Sequence, residues 1–181
     1  MLVLLAGCFG GSGDEPPDTP AAKTSECAPR HDAVPMASLL DGARGWAFGT
    51  APVYVSFLDI PMYRAARSGP GSFVAIHRDT KRNGRYGVKV MTIVHPTFAG
   101  QIRQEVSAVT PGRKVAFSLG RGSNAIAIDR LPTTRTLTVT RGEDRVPGGI
   151  VVTGRGCYRL KLEARGQRYE LAFPVNFGRA A

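Results

Sequence analysis

The strongest constraint on the fold is the alternation of apolar and polar residues in the last two patterned segments. CYRLKLEA and RYELAFPV each place an apolar side chain at every second position, and Arg165-Gly166-Gln167 separates them. This period is typical of strands, and a break containing glycine favours a β-hairpin. We predict one shared buried face and place Pro174 at a strand end or an edge. The face comprises Tyr158, Leu160, Leu162, Ala164, Tyr169, Leu171, Phe173 and Val175.

The same period recurs from about residue 50 onward. PVYVSF, KVAFSL, NAIAID and RTLTVT are each predicted to form a strand. Pro111-Gly112 predicts a type II turn, and Asn83-Gly84 predicts a hairpin that pairs SFVAIH with YGVKVMTIV. Only MASLLDGAR, residues 36–44, suits a short helix. Nine or ten short strands without crossover helices predict an all-β fold, an antiparallel immunoglobulin-like β-sandwich.

The N-terminal residues have a different character. The sequence LAGC at residues 5–8 resembles the lipobox of bacterial lipoproteins, in which an aliphatic and two small residues precede the lipid-bearing cysteine. The resemblance implies lipidation of Cys8, for instance by palmitate. Residues 9–26 are rich in Gly, Ser, Pro and acids, which is typical of a disordered, flexible linker. We therefore divide the chain into a truncated lipoprotein signal (1–8), a linker (9–26) and a sandwich domain (27–181).

The segment before Cys8 is shorter than an export signal. Such signals carry a basic region and a longer apolar stretch, whereas MLVLLAG has no Lys or Arg. We expect the true start to lie upstream of Met1. The alternative is a short disordered N-terminus whose cysteine matches the motif by chance.

The chain has three cysteines, Cys8, Cys27 and Cys157. If Cys8 carries lipid, Cys27 and Cys157 remain as one pair, and disulfides persist in exported proteins. Such a bridge would contribute roughly 4–5 kcal/mol to stability in the chain-entropy model. The alternative is two unpaired, buried thiols.

A second resemblance covers roughly residues 45–177. GTAPVYVSF, YGVKVMTIVHPTFAGQI and GRGCYRLKLEARGQRYELAFPV, in this order, are similar to a family of small bacterial lipoproteins with an immunoglobulin-like sandwich. The resemblance implies this fold and a lipid-anchored position on the extracytoplasmic side of the cell membrane. It implies no catalytic activity.

The formal net charge of +10 favours anionic partners. The linker is acidic, so residues 27–181 hold the whole positive excess. The hairpin HRDTKRNGRYG is the densest basic stretch, and anionic lipid or an acidic wall polymer is its expected partner. Nucleic acid is not expected outside the cell. The predicted contacts are Arg78, Lys81, Arg82 and Arg85. The alternative is that this hairpin is a solvated loop that protects strand edges and binds no partner.

Residues suited to a metal or to catalysis are sparse. His31, His77 and His95 share no close ligand spacing, so we predict no metal and no cofactor. A weaker hypothesis places His77 and His95 at one sheet end as a metal or small-ligand site, because each ends a strand that the Asn83-Gly84 hairpin would pair. The few carboxylates, among them Asp59, Asp79, Glu105 and Asp129, are scattered among strand ends and suggest no acid–base pair. The alternative is a hydrolase with an unrecognised loop site. The pattern GRGSNA (120–125) precedes no helix, and LPTTR (131–135) is read as a loop.

The sequence thus predicts a non-enzymatic binding or structural module, anchored by lipid to the membrane. Aromatic residues offer one further alternative, a glycan platform. Its members would be Trp46, Tyr54, Tyr63 and Phe73, although Trp46 and Phe73 also suit the core of a sandwich.

Overall fold

The computed structural model describes residues 27, 33–43, 45–57, 74–75, 81–82, 85–118 and 127–176, which form two packed β-sheets. The first sheet contains, in spatial order, β1 (Ala33–Pro35), β2 (Trp46–Thr50), β3 (Val53–Phe57), β6 (Arg85–Val94), β10 (Arg145–Val152) and β8 (Val115–Phe117), with β5 (Lys81–Arg82) paired to β6. The second contains β4 (Val74–Ala75), β12 (Gln167–Asn176), β11 (Gly156–Ala164), β7 (Gly100–Ala108) and β9 (Thr134–Val139). Only the β4–β12 pair is parallel among these strands. The predicted all-β antiparallel sandwich is confirmed.

The core lies between the sheets and follows the predicted alternation. Val53, Val55 and Phe57 of β3 are at most 4% exposed. Aromatic rings join the sheets, since the ring centroids of Phe57 and Phe173 lie 5.0 Å apart. Burying side chains of this size stabilises the fold by roughly 1.5–3 kcal/mol each.

The terminal hairpin has the predicted inward face but a tighter turn. Ala164 pairs with Gln167, so the loop contains two residues rather than the three expected. Arg165 and Gly166 have φ values of +48° and +74°. Positive φ at both positions is typical of the type I′ turn, whose twist matches that of hairpin strands.

Two strand predictions are wrong. Val74–Ala75, from SFVAIH, pairs with β12 in the second sheet and not with β6. The strand that pairs with β6 across Asn83-Gly84 is Lys81–Arg82, so the hairpin itself is confirmed with a different first strand. In the NAIAID segment, Ile128–Arg130 forms a 3-10 turn where a strand was predicted.

A small second core covers the outer face of the first sheet. The predicted short helix is a 3-10 turn at Met36–Ser38, and the backbone N–H of Leu40 donates to the carbonyl of Met36. This segment buries the side chains that β2 and β6 point away from the main core. The cluster consists of Met36, Leu40, Ala47, Met91 and Ile93.

The two ends of the sandwich differ in what they carry. One end, which we call the far end, holds the connection between β6 and β7 (95–99), the connection between β9 and β10 (140–144) and the β11–β12 turn. The opposite end holds the turn from β7 to β8 (109–114), the turn from β10 to β11 (153–155) and Cys157; we call it the disulfide end. No helix in the described part of the chain is long and apolar enough to cross a membrane.

Candidate functional site

A disulfide joins Cys27 to Cys157, as predicted. The Cα atoms lie 5.6 Å apart across a sequence separation of 130 residues. Both cysteines are buried and pack against Ala172 and Val109, at the end of the outer face of the second sheet. The bridge therefore fixes the point at which the N-terminal segment meets the sandwich. Cys8, the predicted lipid site, lies outside the described residues.

Backbone contacts hold Cys157 in place. The buried Thr110 hydroxyl accepts a hydrogen bond of 2.8 Å from the Cys157 N–H, and the Cys157 carbonyl accepts one from the N–H of Val109. Gly156 faces the same threonine, since a Cβ at this glycine would lie 2.9 Å from the Thr110 hydroxyl oxygen. Thr110 begins the predicted Pro111-Gly112 type II turn, which is confirmed by φ of +71° at Gly112.

Tyr158 follows the disulfide directly and is fully buried. Its hydroxyl donates a hydrogen bond of 2.7 Å to the carbonyl of Gly154, four residues upstream. The bond resembles that of a tyrosine corner, in which a tyrosine hydroxyl bonds to the backbone a few residues upstream, although here the tyrosine follows the cysteine and does not precede it. Burial raises the pKa of the Tyr158 hydroxyl to about 12, while the nearby Arg113 guanidinium acts to lower it.

Cations surround the disulfide end on adjacent turns. Arg113 lies over the next turn, because a Cβ at Gly154 would be 2.9 Å from its Nη1 atom. The exposed Lys114 makes an ion pair of 2.6 Å with Asp129. Arg155 is exposed on the β10–β11 turn. The charged side chains on these turns are thus Arg113, Lys114 and Arg155, with Asp129 beside Lys114.

The predicted basic hairpin belongs to this same end. Its strand positions Lys81 and Arg82 pair with Tyr86 and Arg85, at the first residues of β6. Arg85 is only 7% exposed and is engaged by other groups, so the prediction of a surface contact at this residue is wrong. The local sequence pattern does not reveal that this position is buried. Arg78 lies outside the described residues.

The outer face of the second sheet carries a checkerboard of six charges. Lys161 on β11 stands between Glu105 and Glu170 on the neighbouring strands. Two positions further along, Glu163 stands between Arg103 and Arg168. Each charge therefore has opposite charges both across and along the strands. The six residues line a groove of about 500 Å³.

The checkerboard is electrically balanced. Oε2 of Glu163 lies 3.7 Å from Nε of Arg168. Oε1 of Glu170 lies 2.7 Å from Nε of Arg159, in an ion pair that lacks hydrogen-bond alignment. Exposed pairs of this kind contribute about 0–1 kcal/mol each. The face attracts neither anions nor cations strongly, and alternation alone did not predict it because the pattern depends on strand register.

The hypothesis of a metal or small-ligand site at His77 and His95 requires that one hairpin pair the two strand ends, and the structure does not show this pairing. His95 follows β6 at the far end, is exposed, and its Nδ1 lies 2.8 Å from the hydroxyl oxygen of Thr97. The strand before His77 belongs to the other sheet, so the hairpin does not pair the two strand ends. His31 and His77 lie outside the described residues. Within the described ranges no three His, Cys, Asp or Glu side chains form a metal-binding group.

The carboxylates and aromatic residues of the other site hypotheses do not lie together in one site within the described part of the chain. Asp129 is paired with Lys114 and Glu105 belongs to the checkerboard, while Asp59 and Asp79 lie outside the described residues. Trp46 lies on β2 and is half-buried, and Tyr54 packs against the outer cluster of the first sheet. The other two aromatics of the glycan alternative, Tyr63 and Phe73, also lie outside the described residues.

One cavity lies between the sheets, beside a buried polar pair. Nε2 of Gln104 donates a hydrogen bond of 2.6 Å to the hydroxyl of Thr92, and Arg135 approaches Gly148 from the side. The cavity measures about 10 Å³. This is the space of about one water molecule, so it does not admit an organic ligand.

No protein-family model matches the chain, and no curated protein matches it. Among solved structures, the chain is similar to one described as "X-ray Crystal Structure of a Putative Lipoprotein from Bacillus anthracis". The two share 11% sequence identity with a TM-score of 0.42, over 76% of this chain and 82% of the other.

Proposed function

We propose that this protein is a lipid-anchored module on the extracytoplasmic side of the cell membrane, where it binds a partner or serves a structural role. The disulfide between Cys27 and Cys157 is the observation that carries this proposal. Disulfides persist outside the cytoplasm, and this pairing leaves Cys8 as the one cysteine without a disulfide partner. That cysteine lies in the lipobox-like sequence LAGC.

Lipid on Cys8 would hold the domain at the membrane. Each buried methylene contributes about 0.8 kcal/mol, so one acyl chain binds weakly and several bind stably. Residues 9–26 have the composition of a flexible chain, with a root-mean-square reach of roughly 23 Å. The sandwich would therefore remain close to the bilayer surface without entering it.

A non-catalytic role is supported by the ion pairs that three of the described carboxylates form. Asp129 pairs with Lys114, Glu163 with Arg168, and Glu170 with Arg159. A general acid or base needs a carboxyl group whose proton affinity is tuned for the task and which faces a substrate pocket. These three carboxylates instead lie in exposed ion pairs.

Metabolic labelling with a palmitate analogue tests the anchor. The protein is expressed from its own genomic locus, so that any upstream signal is present, as wild type and as Cys8→Ser. We expect label and membrane fractionation for the wild type, and neither for Cys8→Ser. The matched control, Cys157→Ser, removes a different cysteine and should still be labelled. An unlabelled wild type, or label that persists in Cys8→Ser, would refute the proposal.

A further inference from the structure

We infer that the checkerboard on the outer face of the second sheet is the surface through which two copies of this protein associate, face to face, about a two-fold axis that crosses the strands. The inference deepens the proposed function, on which it rests for the expectation of a partner, by naming a second copy as that partner. The contact itself is carried by the charge pattern, which is independent of lipidation.

The checkerboard is an open face of the sandwich. Arg103, Lys161 and Arg168 are exposed, and the three carboxylates of the checkerboard are half-buried. The six side chains line the groove of about 500 Å³, which leaves room for the long side chains of a facing molecule. On the outer face of the first sheet, by contrast, residues 36–40 cover the side chains of β2 and β6.

The net charge of the chain restricts where two copies can meet. A symmetric contact places a surface against itself, so a patch with an excess of one sign repels its own copy. The turns of the disulfide end carry such an excess, namely Arg113, Lys114 and Arg155 against Asp129. The checkerboard holds three cations and three carboxylates. This balanced face therefore permits a self-association that a net charge of +10 otherwise opposes.

Strand register makes the checkerboard complementary to itself. Across β7, β11 and β12, the signs of the first row are minus, plus, minus, and those of the second row are plus, minus, plus. A two-fold axis that crosses the strands midway between the rows lays each row of one copy over the other row of the second copy. Symmetry then forms each facing pair twice. The facing pairs are Glu105 with Arg103, Lys161 with Glu163, and Glu170 with Arg168.

The same pattern disfavours the other face-to-face arrangement. An axis parallel to the strands would lay β11 on β11 and β7 on β12. Lys161 would then face its own copy, and Glu105 would face Glu170. Like charges placed directly opposite each other are destabilising. The charges therefore select the arrangement in which the disulfide ends of the two copies point in opposite directions.

The ion pairs within each copy leave capacity for these contacts. Glu163 lies 3.7 Å from Arg168, and Glu170 lies 2.7 Å from Arg159. A carboxylate can accept about four hydrogen bonds and a guanidinium can donate about five. Each charged group can therefore keep its neighbour in the same sheet and add a partner across the interface.

The size of the face determines how strong the association can be. β11 has nine residues, so β7, β9, β11 and β12 together present a face of about 20 Å by 30 Å. Two such faces bury at most about 1,200 Å² in total, which is at the lower limit for specific interfaces. We therefore expect a weak dimer, with a dissociation constant in the micromolar range or above.

Sedimentation equilibrium of the full chain carrying Cys8→Ser tests self-association without lipid. We expect a monomer–dimer equilibrium that shifts to dimer as the concentration rises towards about 1 mM. Lys161→Glu places like charges opposite each other at two symmetric positions and should weaken association at least about tenfold. The matched control Arg155→Glu lowers the net charge by the same amount away from the checkerboard, and should not weaken association.

Mixing two variants distinguishes a facing contact from damage to the fold. Glu163→Lys alone should also weaken self-association, because its cation faces Lys161. In a mixture with Lys161→Glu the altered positions face each other with opposite charges. Labelled Glu163→Lys should therefore bind Lys161→Glu at least as tightly as the parent binds itself, and at least about threefold more tightly than it binds Arg155→Glu. Circular dichroism and thermal unfolding verify that all variants remain folded.

Three results would overturn the inference: a chain that stays monomeric up to about 1 mM, equal effects of Lys161→Glu and Arg155→Glu, or a mixture that binds no better than the control pair. Each leaves the labelling of Cys8 unaffected, so failure here is distinct from failure of the proposed anchor.

Discussion

At the scale of single residues, the hydroxyl of Tyr158 stabilises the corner at which β10 leads into β11. Its ring fills the core beside Phe173, with centroids 6.0 Å apart, and its hydroxyl satisfies the buried carbonyl of Gly154. Removing the donor leaves that acceptor unpaired away from water, which costs more than the net gain of the bond.

We expect Tyr158→Phe to lower the free energy of unfolding by about 1–2 kcal/mol at neutral pH. Urea denaturation measures this difference. Tyr54→Phe serves as a control, since that side chain lies in the outer cluster and not at the corner. Equal losses in the two variants would contradict the role assigned to the corner.

The raised pKa of Tyr158 also predicts a pH dependence. The folded state holds the proton to about pH 12, whereas the unfolded chain releases it near 10. Stability from the neutral hydroxyl is complete below pH 10 and is lost as the pH rises towards 12, by up to about 2–3 kcal/mol. The difference in stability between wild type and Tyr158→Phe should shrink over this interval. A constant difference would show that the hydroxyl titrates normally.

The sequence predicted which side chains point into the core, but it did not predict which positions outside the core are buried. The alternation in β3 and in the terminal hairpin assigned the inward side chains correctly, because one face of each strand is buried. Arg85 was assigned to the surface because its neighbours in sequence are basic. Its burial is a property of the folded packing, and a local sequence pattern does not contain that information.

At the scale of elements, the β2–β3 hairpin depends on a glycine that alternation does not reveal. Gly49 has φ of +131°, and a Cβ there would lie 2.8 Å from the backbone carbonyl oxygen of Val53. Gly87 on β6 offers a contrast, since nothing lies within 4 Å of its added Cβ.

We expect Gly49→Ala to destabilise the protein by about 2–3 kcal/mol, through backbone strain and a steric clash. Gly87→Ala makes the same chemical change where there is space, and should alter stability by no more than about 0.5 kcal/mol. Chemical denaturation of both variants provides the measurement. Similar values for the two would show that the close approach at Gly49 is relieved at little cost.

The incorrect predictions at this scale concern which strands pair with each other, and not the apolar–polar alternation within a strand. SFVAIH does supply a strand, but Val74–Ala75 joins the second sheet, because a two-residue turn signal fixes only the strands directly beside it. The checkerboard was missed for a related reason. Arg159, Lys161 and Glu163 are visible in sequence, whereas their neighbours Glu105 and Arg103 lie on a strand more than fifty residues away.

At the scale of the whole molecule, the disulfide restricts the unfolded chain more than any local contact does. It closes a loop over a separation of 130 residues. In the chain-entropy model such a loop contributes about 4–5 kcal/mol, a large part of the stability of a domain this size.

We therefore expect Cys27→Ser/Cys157→Ser to lose about 4–5 kcal/mol, measured by urea denaturation without reductant. Cys8→Ser, which leaves the bridge intact, should unfold at the wild-type urea concentration. Wild type treated with reductant should match the double variant. Unchanged stability in the double variant would mean that the bridge adds nothing to the fold.

The cysteine pair was predictable from the count, but its place was not. Three cysteines and one lipobox-like motif leave one pair to form, whereas only the topology shows that the pair lies at the same end of the sandwich as the first residues of β6. Strand register and the hydrogen bonds between Lys114 and Thr153 bring the 85–86, 113–114 and 153–155 segments to one end, and the local sequence shows neither.

The position of Cys157 in β11, the last strand but one of those described, also bears on biogenesis. If the protein is exported with its N-terminus leading, the thiol of Cys27 would cross 130 residues before that of Cys157. The bridge could then form only after nearly all of the described strands had crossed, and a product that stops short of Cys157 would lack it.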